Sequence, residues 1–171
     1  MKKETLMTMY PAGTRIRLIR MQGEPQMEKG LEGVVTFIDD YPQVHMQWEN
    51  GSSLRLDVEN DLFEIVDTIK VIKVKTGKLA EISVIENKLK SIQSYVDGYI
   101  ELYGLEENVL IICNEEGKFT KLPNRVIHKD GKILDIIFGD FLVCGMTYEG
   151  DFADLPEDKM EYYLDYFNGV R

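Results

Sequence analysis

Hydrophobic and polar residues alternate in short runs along the first 66 residues, which is the pattern of half-buried β-strands. The run over residues 44–48 is the clearest, because Val44, Met46 and Trp48 share one face and the polar residues between them share the other. Turn residues separate the runs. We therefore predict five strands, over residues 14–21, 30–38, 44–48, 53–57 and 63–66.

The dipeptide Asn50-Gly51 joins the third and fourth of these runs. Asn-Gly favours a type I′ hairpin turn, because both central residues of that turn need a positive φ. A long polar loop over residues 22–29 separates the first two runs. A long first loop followed by a meander with tight hairpins predicts an all-β SH3-like barrel domain over residues 1–66.

The pattern changes after residue 68, where strand-like runs are interrupted by helical periodicity. We predict strands over residues 69–74, 79–85, 99–103, 109–113 and 138–146. One helix begins after Asn87 as its N-cap and ends at Asp97-Gly98.

A second helix is predicted at the C-terminus, where Pro156 opens a run with apolar residues at helical spacing. Those residues are Met160, Tyr163, Leu164 and Phe167. Residues 69–171 are thus predicted to form a small α+β domain with a mainly antiparallel sheet and a C-terminal helix. The whole chain is predicted to be an α+β protein of two domains.

Composition places the chain among soluble globular proteins. Hydrophobic residues make up 44% of its 171 residues, and no apolar run approaches the roughly 20 residues that span a bilayer. The N-terminus lacks the apolar core and cleavage site of a signal peptide, so we predict a cytoplasmic protein. Cys113 and Cys144 lie in apolar runs and are predicted to be buried reduced thiols. Neither zinc spacing nor a cofactor motif is present, and we expect no metal and no cofactor.

Acidic residues outnumber basic ones by 30 to 20, which gives the chain a net charge of −10. The acidic surplus argues against direct nucleic-acid binding, which needs many phosphate contacts, and favours a partner protein with a basic surface. The alternative is that the acids of the predicted C-terminal helix only form its solvated face. Acids in a first helical turn also suit the helix dipole. Candidate partner-binding residues are Tyr41, in a turn beside Pro42, and Glu149, Asp151, Asp154, Glu157, Asp158, Glu161 and Asp165.

The segment Leu122-Pro123-Asn124-Arg125 is the candidate anion site. Arg125 offers a planar fork for carboxylate or phosphate, and Lys118 and Lys121 lie nearby in sequence. Lys118, Lys121, Asn124 and Arg125 are therefore candidate ligand-binding residues. The alternative is structural: Arg125 ties the loop to backbone carbonyls or to Glu115 or Glu116.

Aromatic residues of the first half could line a groove for a peptide or a single-stranded nucleic acid. They are Phe37, Tyr41, Trp48 and Phe63, and core packing is the alternative for the last two. Glu115-Glu116 precedes Gly117, which we expect in a left-handed position of a hairpin loop. No acid, base and nucleophile converge by spacing, so we expect no catalytic residues and a non-enzymatic protein.

Two stretches of the chain resemble known families. Residues 10–66 resemble domain-of-unknown-function family 4314, an SH3-like module common on phages and mobile elements, through three motifs. These are Tyr10-Pro11-Ala12-Gly13-Thr14-Arg15-Ile16-Arg17-Leu18, Gly30-x-x-Gly33-Val34-Val35, and Trp48-Glu49-Asn50-Gly51 with Leu54-x-Leu56.

Residues 69–167 resemble domain-of-unknown-function family 3846, which occurs in the same setting. The resemblance rests on Gly98-Tyr99-Ile100-Glu101, Cys113-Asn114-Glu115-Glu116-Gly117-Lys118, Leu122-Pro123-Asn124-Arg125, Gly139-x-Phe141-Leu142-Val143 and Glu149-Gly150-Asp151-Phe152. Neither family carries a catalytic assignment that can be transferred to this chain.

The two resemblances imply an accessory protein of a phage or mobile element. Small acidic proteins in that setting often block host defences, so we expect a non-enzymatic protein of anti-CRISPR or anti-restriction type. It would bind and inhibit a host defence protein through protein–protein contacts. Two alternatives stay open: a protein that binds or sequesters a small anionic ligand such as a nucleotide signal, and a nucleic-acid-binding module that uses the barrel.

Overall fold

The structure is a computed structural model that describes residues 2–169. The chain divides into two compact units, Met1–Asp67 and Thr68–Arg171. Strands make up 43% and helices 18% of the structure, which agrees with the predicted α+β class. Each unit is built around hydrophobic clusters of its own residues.

The first unit consists of a short helix and a four-stranded antiparallel sheet in the order β3-β2-β1-β4. Its elements are α1 (Lys3–Met9), β1 (Arg15–Arg20), β2 (Glu32–Ile38), β3 (Val44–Trp48) and β4 (Leu62–Val66). The alternation predicted for β3 is confirmed, because Val44, Met46 and Trp48 are buried. Helix α1 was not predicted, since Leu6 is its only buried residue and leaves no helical periodicity to detect.

The predicted strand over residues 53–57 is wrong. Only Leu56 pairs there, in an isolated bridge to Val44. The indole Nε1 of Trp48 donates to the carbonyl of Leu54 at 2.7 Å, so a side chain takes an acceptor that a strand would use. Within residues 2–169 the sheet of this unit does not close into the predicted barrel.

The turn at Asn50-Gly51 also differs from the predicted type I′ form. Gly51 has a φ of 81°, but Asn50 does not have a positive φ. Gly51 N–H donates to the Trp48 carbonyl at 2.9 Å, and Trp48 N–H donates to the Ser52 carbonyl at 3.2 Å. These bonds define a three-residue loop in which a left-handed glycine follows the turn.

Over its described residues, 68–169, the second unit contains a six-stranded antiparallel sheet, a separate two-stranded hairpin and three helices. Its elements are β5 (Thr68–Val74), β6 (Glu81–Glu86), α2 (Leu89–Val96), β7 (Ile100–Glu106), β8 (Val109–Asn114), α3 (Gly117–Thr120), β9 (Pro123–Lys129), β10 (Lys132–Phe138), β11 (Phe141–Met146), β12 (Phe152–Ala153) and α4 (Glu157–Phe167). The large sheet has the order β6-β5-β11-β8-β7, with β12 paired to β11. The mainly antiparallel sheet and the C-terminal helix are thus as predicted.

Strands β8 and β11 lie in the middle of this sheet, and their side chains alternate between two cores. On one face Ile111, Phe141 and Val143 pack with residues of α4 and of the β9–β10 hairpin. On the other face Ile112 and Leu142 pack with α2. Both cysteines are buried and free, as predicted.

Several local predictions in the second unit fail. Asn87 is not the cap of α2; Lys88 is the N-cap residue, and the Asn87 amide donates to the Phe152 carbonyl at 3.2 Å. Gly117 opens α3 and does not have the predicted positive φ. The predicted end of α2 is confirmed, because Asp97 takes the left-handed conformation with a φ of 56°.

Hairpin β9–β10 is not predicted from the sequence, which favours loops and turns in this part of the chain. Its turn, Asp130-Gly131, has a positive φ at both central residues, 51° and 73°. Lys129 pairs with Lys132 across the turn. The type I′ geometry expected at Asn50-Gly51 is therefore found here.

Candidate functional site

Three exposed carboxylates lie on one side of α4, and we refer to Glu157, Asp158 and Glu161 as the acidic face. Helix α4 begins at Pro156 as predicted, with Pro156 itself in the N-cap position. The opposite side of α4 is buried through Met160, Tyr163 and Phe167. The face is therefore presented to solvent by a helix that is anchored in the core.

Lys159 does not neutralise this face. It is the only cation in α4, and its Nζ donates to Glu106 Oε2 at 2.9 Å. That hydrogen bond raises the pKa of Lys159 and lowers the pKa of Glu106. Since Lys159 is paired with a carboxylate from β7, the charge of the acidic face is not offset within α4.

The other predicted acidic residues differ in their surroundings. Glu149 and Asp151 are exposed between β11 and β12. Asp154 is exposed, but its carboxylate accepts the backbone N–H of Lys70 at 2.7 Å and so connects to β5. Asp165 is only partly exposed. The acidic surface is thus strongest at the start of α4 and in the turn before β12.

Arg125, the centre of the predicted anion site, donates to protein acceptors through all three of its nitrogens. Nε donates to the Phe167 carbonyl at 2.8 Å and Nη2 donates to the Lys78 carbonyl at 2.6 Å. Nη1 donates to the carbonyl and the side-chain oxygen of Asn124 at 3.2 and 2.8 Å. These contacts favour the structural alternative, in which Arg125 ties its segment to backbone carbonyls.

The other members of that predicted site have separate partners. Lys118 forms an ion pair with Asp135 at 3.2 Å, and Lys121 forms one with Asp97. The hydrogen bond from Lys121 lowers the pKa of Asp97. The Asn124 amide donates to the carbonyls of Val74 and Gly139 at 3.1 and 2.7 Å. Each of these three side chains therefore binds another group of the same unit.

Tyr41 is 83% exposed in the turn between β2 and β3. Asp39 shapes this turn, because its carboxylate accepts the backbone N–H groups of Tyr41 and Gln43 at 2.9 and 3.1 Å. It also contacts His45 Nε2 at 2.9 Å, and this bond is the main reason why the pKa of Asp39 is lowered. The turn is therefore held by one carboxylate while Tyr41 projects from it.

The four aromatic residues predicted to share a groove in the first unit are in different environments. Trp48 is 2% exposed and belongs to the core, and Phe63 packs edge-on against Tyr10 with ring centroids 5.7 Å apart. Phe37 is exposed and stacks on His45. Core packing, the alternative left open for Trp48 and Phe63, matches these surroundings.

A groove of about 500 Å³ lies in the second unit between β7, the β9–β10 hairpin and α4. We call it the tyrosine groove, and its main lining residues are Tyr103, Glu106, His128, Lys129, Tyr162 and Tyr166. The groove is not predictable from the sequence, because the hairpin that forms one of its walls is not predicted either. The signal in the sequence is the spacing of Tyr162 and Tyr166, which places both on one face of α4.

Hydrogen bonds fix the walls of the tyrosine groove. Tyr163 Oη donates to Glu106 Oε1 at 2.8 Å, and burial together with this bond raises the pKa of Tyr163. The backbone N–H of His128 donates to the Tyr166 hydroxyl at 2.7 Å, which joins β9 to α4. The groove is therefore a preformed feature of this unit.

Among residues 2–169, no group of three or more histidine, cysteine, aspartate or glutamate side chains is placed to hold a metal ion. In the same residues, no helix has the length and apolar character needed to cross a membrane.

Comparison with known families supports the resemblances seen in the sequence. Residues 69–168 match the family model described as domain of unknown function DUF3846, and residues 2–66 match domain of unknown function DUF4314. Both are the families to which the sequence motifs pointed. The search of curated proteins and the search of solved structures each returned no match.

Proposed function

The chain belongs to the DUF3846 family, and we propose that it is a non-enzymatic accessory protein of a phage or mobile element that binds and inhibits a host defence protein. In this proposal it acts in the cytoplasm and recognises a basic surface, such as the nucleic-acid channel of a nuclease. The exposed acidic face is the observation that supports the proposal most directly.

The acidic face suits this role for two physical reasons. Its carboxylates lie along the first turns of one rigid helix, so their spacing does not depend on a flexible loop. Complementary charges also steer two proteins together and raise the association rate, most strongly at low salt. Glu149 and Asp151, which come shortly before α4 in the chain, add to the negative charge of the second unit.

Capture from a host lysate, followed by assay of any recovered nuclease, tests the proposal. We expect the wild-type chain to inhibit that nuclease and expect Glu157→Lys/Asp158→Lys/Glu161→Lys to weaken binding by about tenfold or more. Circular dichroism of the triple variant checks that α4 still folds, since these acids also interact with the helix dipole.

The matched control changes the same amount of charge elsewhere, in Glu4→Lys/Glu28→Lys/Glu115→Lys. These three residues are exposed and lie outside α4. Equal loss of binding in both triple variants would show that net charge, not the acidic face, drives association. Full inhibition by the α4 variant would rule out the acidic face as the contact surface.

We further propose that the first unit is an open SH3-like module that contributes a second contact through Tyr41. Strands β4, β1, β2 and β3 follow one another across the sheet, and the Leu56 bridge extends it beyond β3. Tyr41→Ala tests this contact, because a largely exposed aromatic side chain can be removed without opening the core. Weaker binding with an unchanged melting temperature is the expected result.

A further inference from the structure

The tyrosine groove has the size and lining of a ligand-binding site. Its volume of about 500 Å³ falls in the range of small-molecule pockets, which combine aromatic walls with a few polar groups. We propose that it binds a mononucleotide, with the nucleobase on Tyr162 and the phosphate near Lys129. This inference is independent of the proposed inhibition of a host protein.

The aromatic wall is arranged for stacking. Tyr162 and Tyr166 lie one helical turn apart with their rings within 13° of parallel and their centroids 6.4 Å apart. Tyr163 packs edge-on against Tyr162 at 5.0 Å and fixes the orientation of its ring. Tyr162 is 43% exposed, so part of its surface is accessible to a planar ligand. Any of the nucleobases can stack on such a face, because each has a flat π-surface.

The charge at the groove favours an anion. Lys159 is paired with Glu106, whereas exposed Lys129 makes no side-chain hydrogen bond or ion pair recorded among residues 2–169. A phosphate placed there meets an uncompensated cation, although the protein as a whole carries a charge of −10.

The same charges select a mononucleotide over a long polynucleotide. Polynucleotide binding gains its affinity from many phosphate contacts, and each additional phosphate would approach a helix that bears the acidic face. The groove offers Lys129 as one phosphate contact and two parallel rings as one stacking surface. The geometry therefore matches one base and one phosphate.

Isothermal titration calorimetry of the full chain with AMP, GMP, CMP and UMP tests the inference. Adenosine is the control ligand that lacks the phosphate. We expect saturable binding of at least one nucleotide and weaker binding of adenosine. Tyr162→Ala is expected to weaken nucleotide binding by about 5- to 150-fold, the loss of one stacked base. Tyr162→Phe keeps the ring and should bind as wild type. Lys129→Gln should reduce the preference for AMP over adenosine.

Tyr148→Ala is the matched control, because Tyr148 is a tyrosine of the same unit that is 89% exposed and lies outside the groove. It should bind nucleotide as wild type does. Three results would each overturn the inference: no binding of any nucleotide at millimolar concentration, unchanged affinity in Tyr162→Ala, or a single-stranded oligonucleotide bound about tenfold or more tightly than every mononucleotide. Failure here would leave inhibition by the acidic face unaffected.

Discussion

Asp61 and Asn114 are buried polar residues whose side chains hold neighbouring backbone segments together. Asp61 accepts the N–H groups of Gln22 and Asp57 at 2.9 and 2.8 Å. Asn114 donates to the carbonyls of residues 96 and 97 and accepts the N–H of Glu116. Such bonds satisfy backbone groups that would otherwise be costly to bury, so these side chains support the fold.

Asp39 supplies a prediction about pH. Its pKa is lowered in the folded protein, mainly by the His45 hydrogen bond, so it stabilises the fold above the unfolded pKa of about 3.9. That contribution is lost as the pH falls through the folded pKa. Asp39→Asn should therefore flatten the decline of melting temperature between about pH 5 and pH 3.

Asp151→Asn is the control for this experiment, since Asp151 is an exposed aspartate in a different turn, the one before β12. Melting curves recorded from neutral to acidic pH check the prediction. An acid-side slope that is the same in Asp39→Asn as in the wild type would contradict it.

Gly33 supplies a prediction about packing. A Cβ at this position would lie 2.6 Å from Cε3 of Trp48, a ring that is itself buried in the core. Gly33→Ala should therefore lower the free energy of unfolding of the first unit by about 1–3 kcal/mol. Urea denaturation followed by tryptophan fluorescence measures this, because Trp48 is the only tryptophan.

The glycine control is Gly104→Ala. Nothing lies within 4 Å of a Cβ built at Gly104. Gly104 lies in β7 of the second unit, so unfolding of this variant is followed by circular dichroism, and it should match the wild type within about 0.5 kcal/mol. A similar loss in both variants would mean that glycine replacement itself, and not contact with Trp48, is responsible.

At the scale of elements, the regular strands of the large sheet were predictable and the β9–β10 hairpin was not. Strands β8 and β11 are buried on both faces and form continuous apolar runs, which are easy to detect. In the hairpin, Val126 and Ile133 are exposed, and Ile127 and Ile137 are buried. Apolar residues on both sides remove the alternation on which strand prediction depends.

The candidate sites, like the strands, could be predicted only where the sequence pattern is local. The charge and the periodicity of α4 could be recognised from sequence, because both are local properties of one helix. The tyrosine groove needs β7, β9 and α4 together, and no local pattern brings these segments into contact. The contacts of Arg125 could not be recognised from sequence for a related reason, since its acceptors at Phe167 and Lys78 are more than 40 residues away in the chain.

The Asp130-Gly131 turn makes a prediction at this scale. Gly131 has a φ of 73°, which costs an alanine roughly 1–2 kcal/mol. Gly131→Ala should therefore destabilise the hairpin and speed amide hydrogen exchange in β9 and β10, measured by mass spectrometry. Asp130→Asn is the control, because asparagine also tolerates the left-handed conformation. Equal exchange in both variants would contradict the assignment of this turn.

On the scale of the whole molecule, the two units have separate hydrophobic clusters. The first unit has one, which includes Trp48, and the second has two, one on each face of its large sheet. A unit of 67 residues buries only about 60% of the surface that its unfolded chain exposes. The first unit is therefore expected to be the less stable of the two.

Expression of residues 1–67 and 68–171 as separate chains tests this expectation. Each should give dispersed amide resonances and a cooperative thermal transition, because each contains its own core. The shorter chain should have the smaller free energy of unfolding. Narrow amide dispersion in either chain would show that its core is insufficient for folding alone.

The positions of the two cysteines provide an intrinsic chemical reporter. Cys113 and Cys144 lie in β8 and β11 of the second unit, and the chain has no other cysteine. Burial raises the pKa of the Cys113 thiol to about 11 and that of the Cys144 thiol to about 12, which suppresses the reactive thiolate in the folded state. Pulsed labelling with a thiol reagent therefore measures the rate at which the second unit opens in the intact protein. The first unit does not react, because it contains no cysteine.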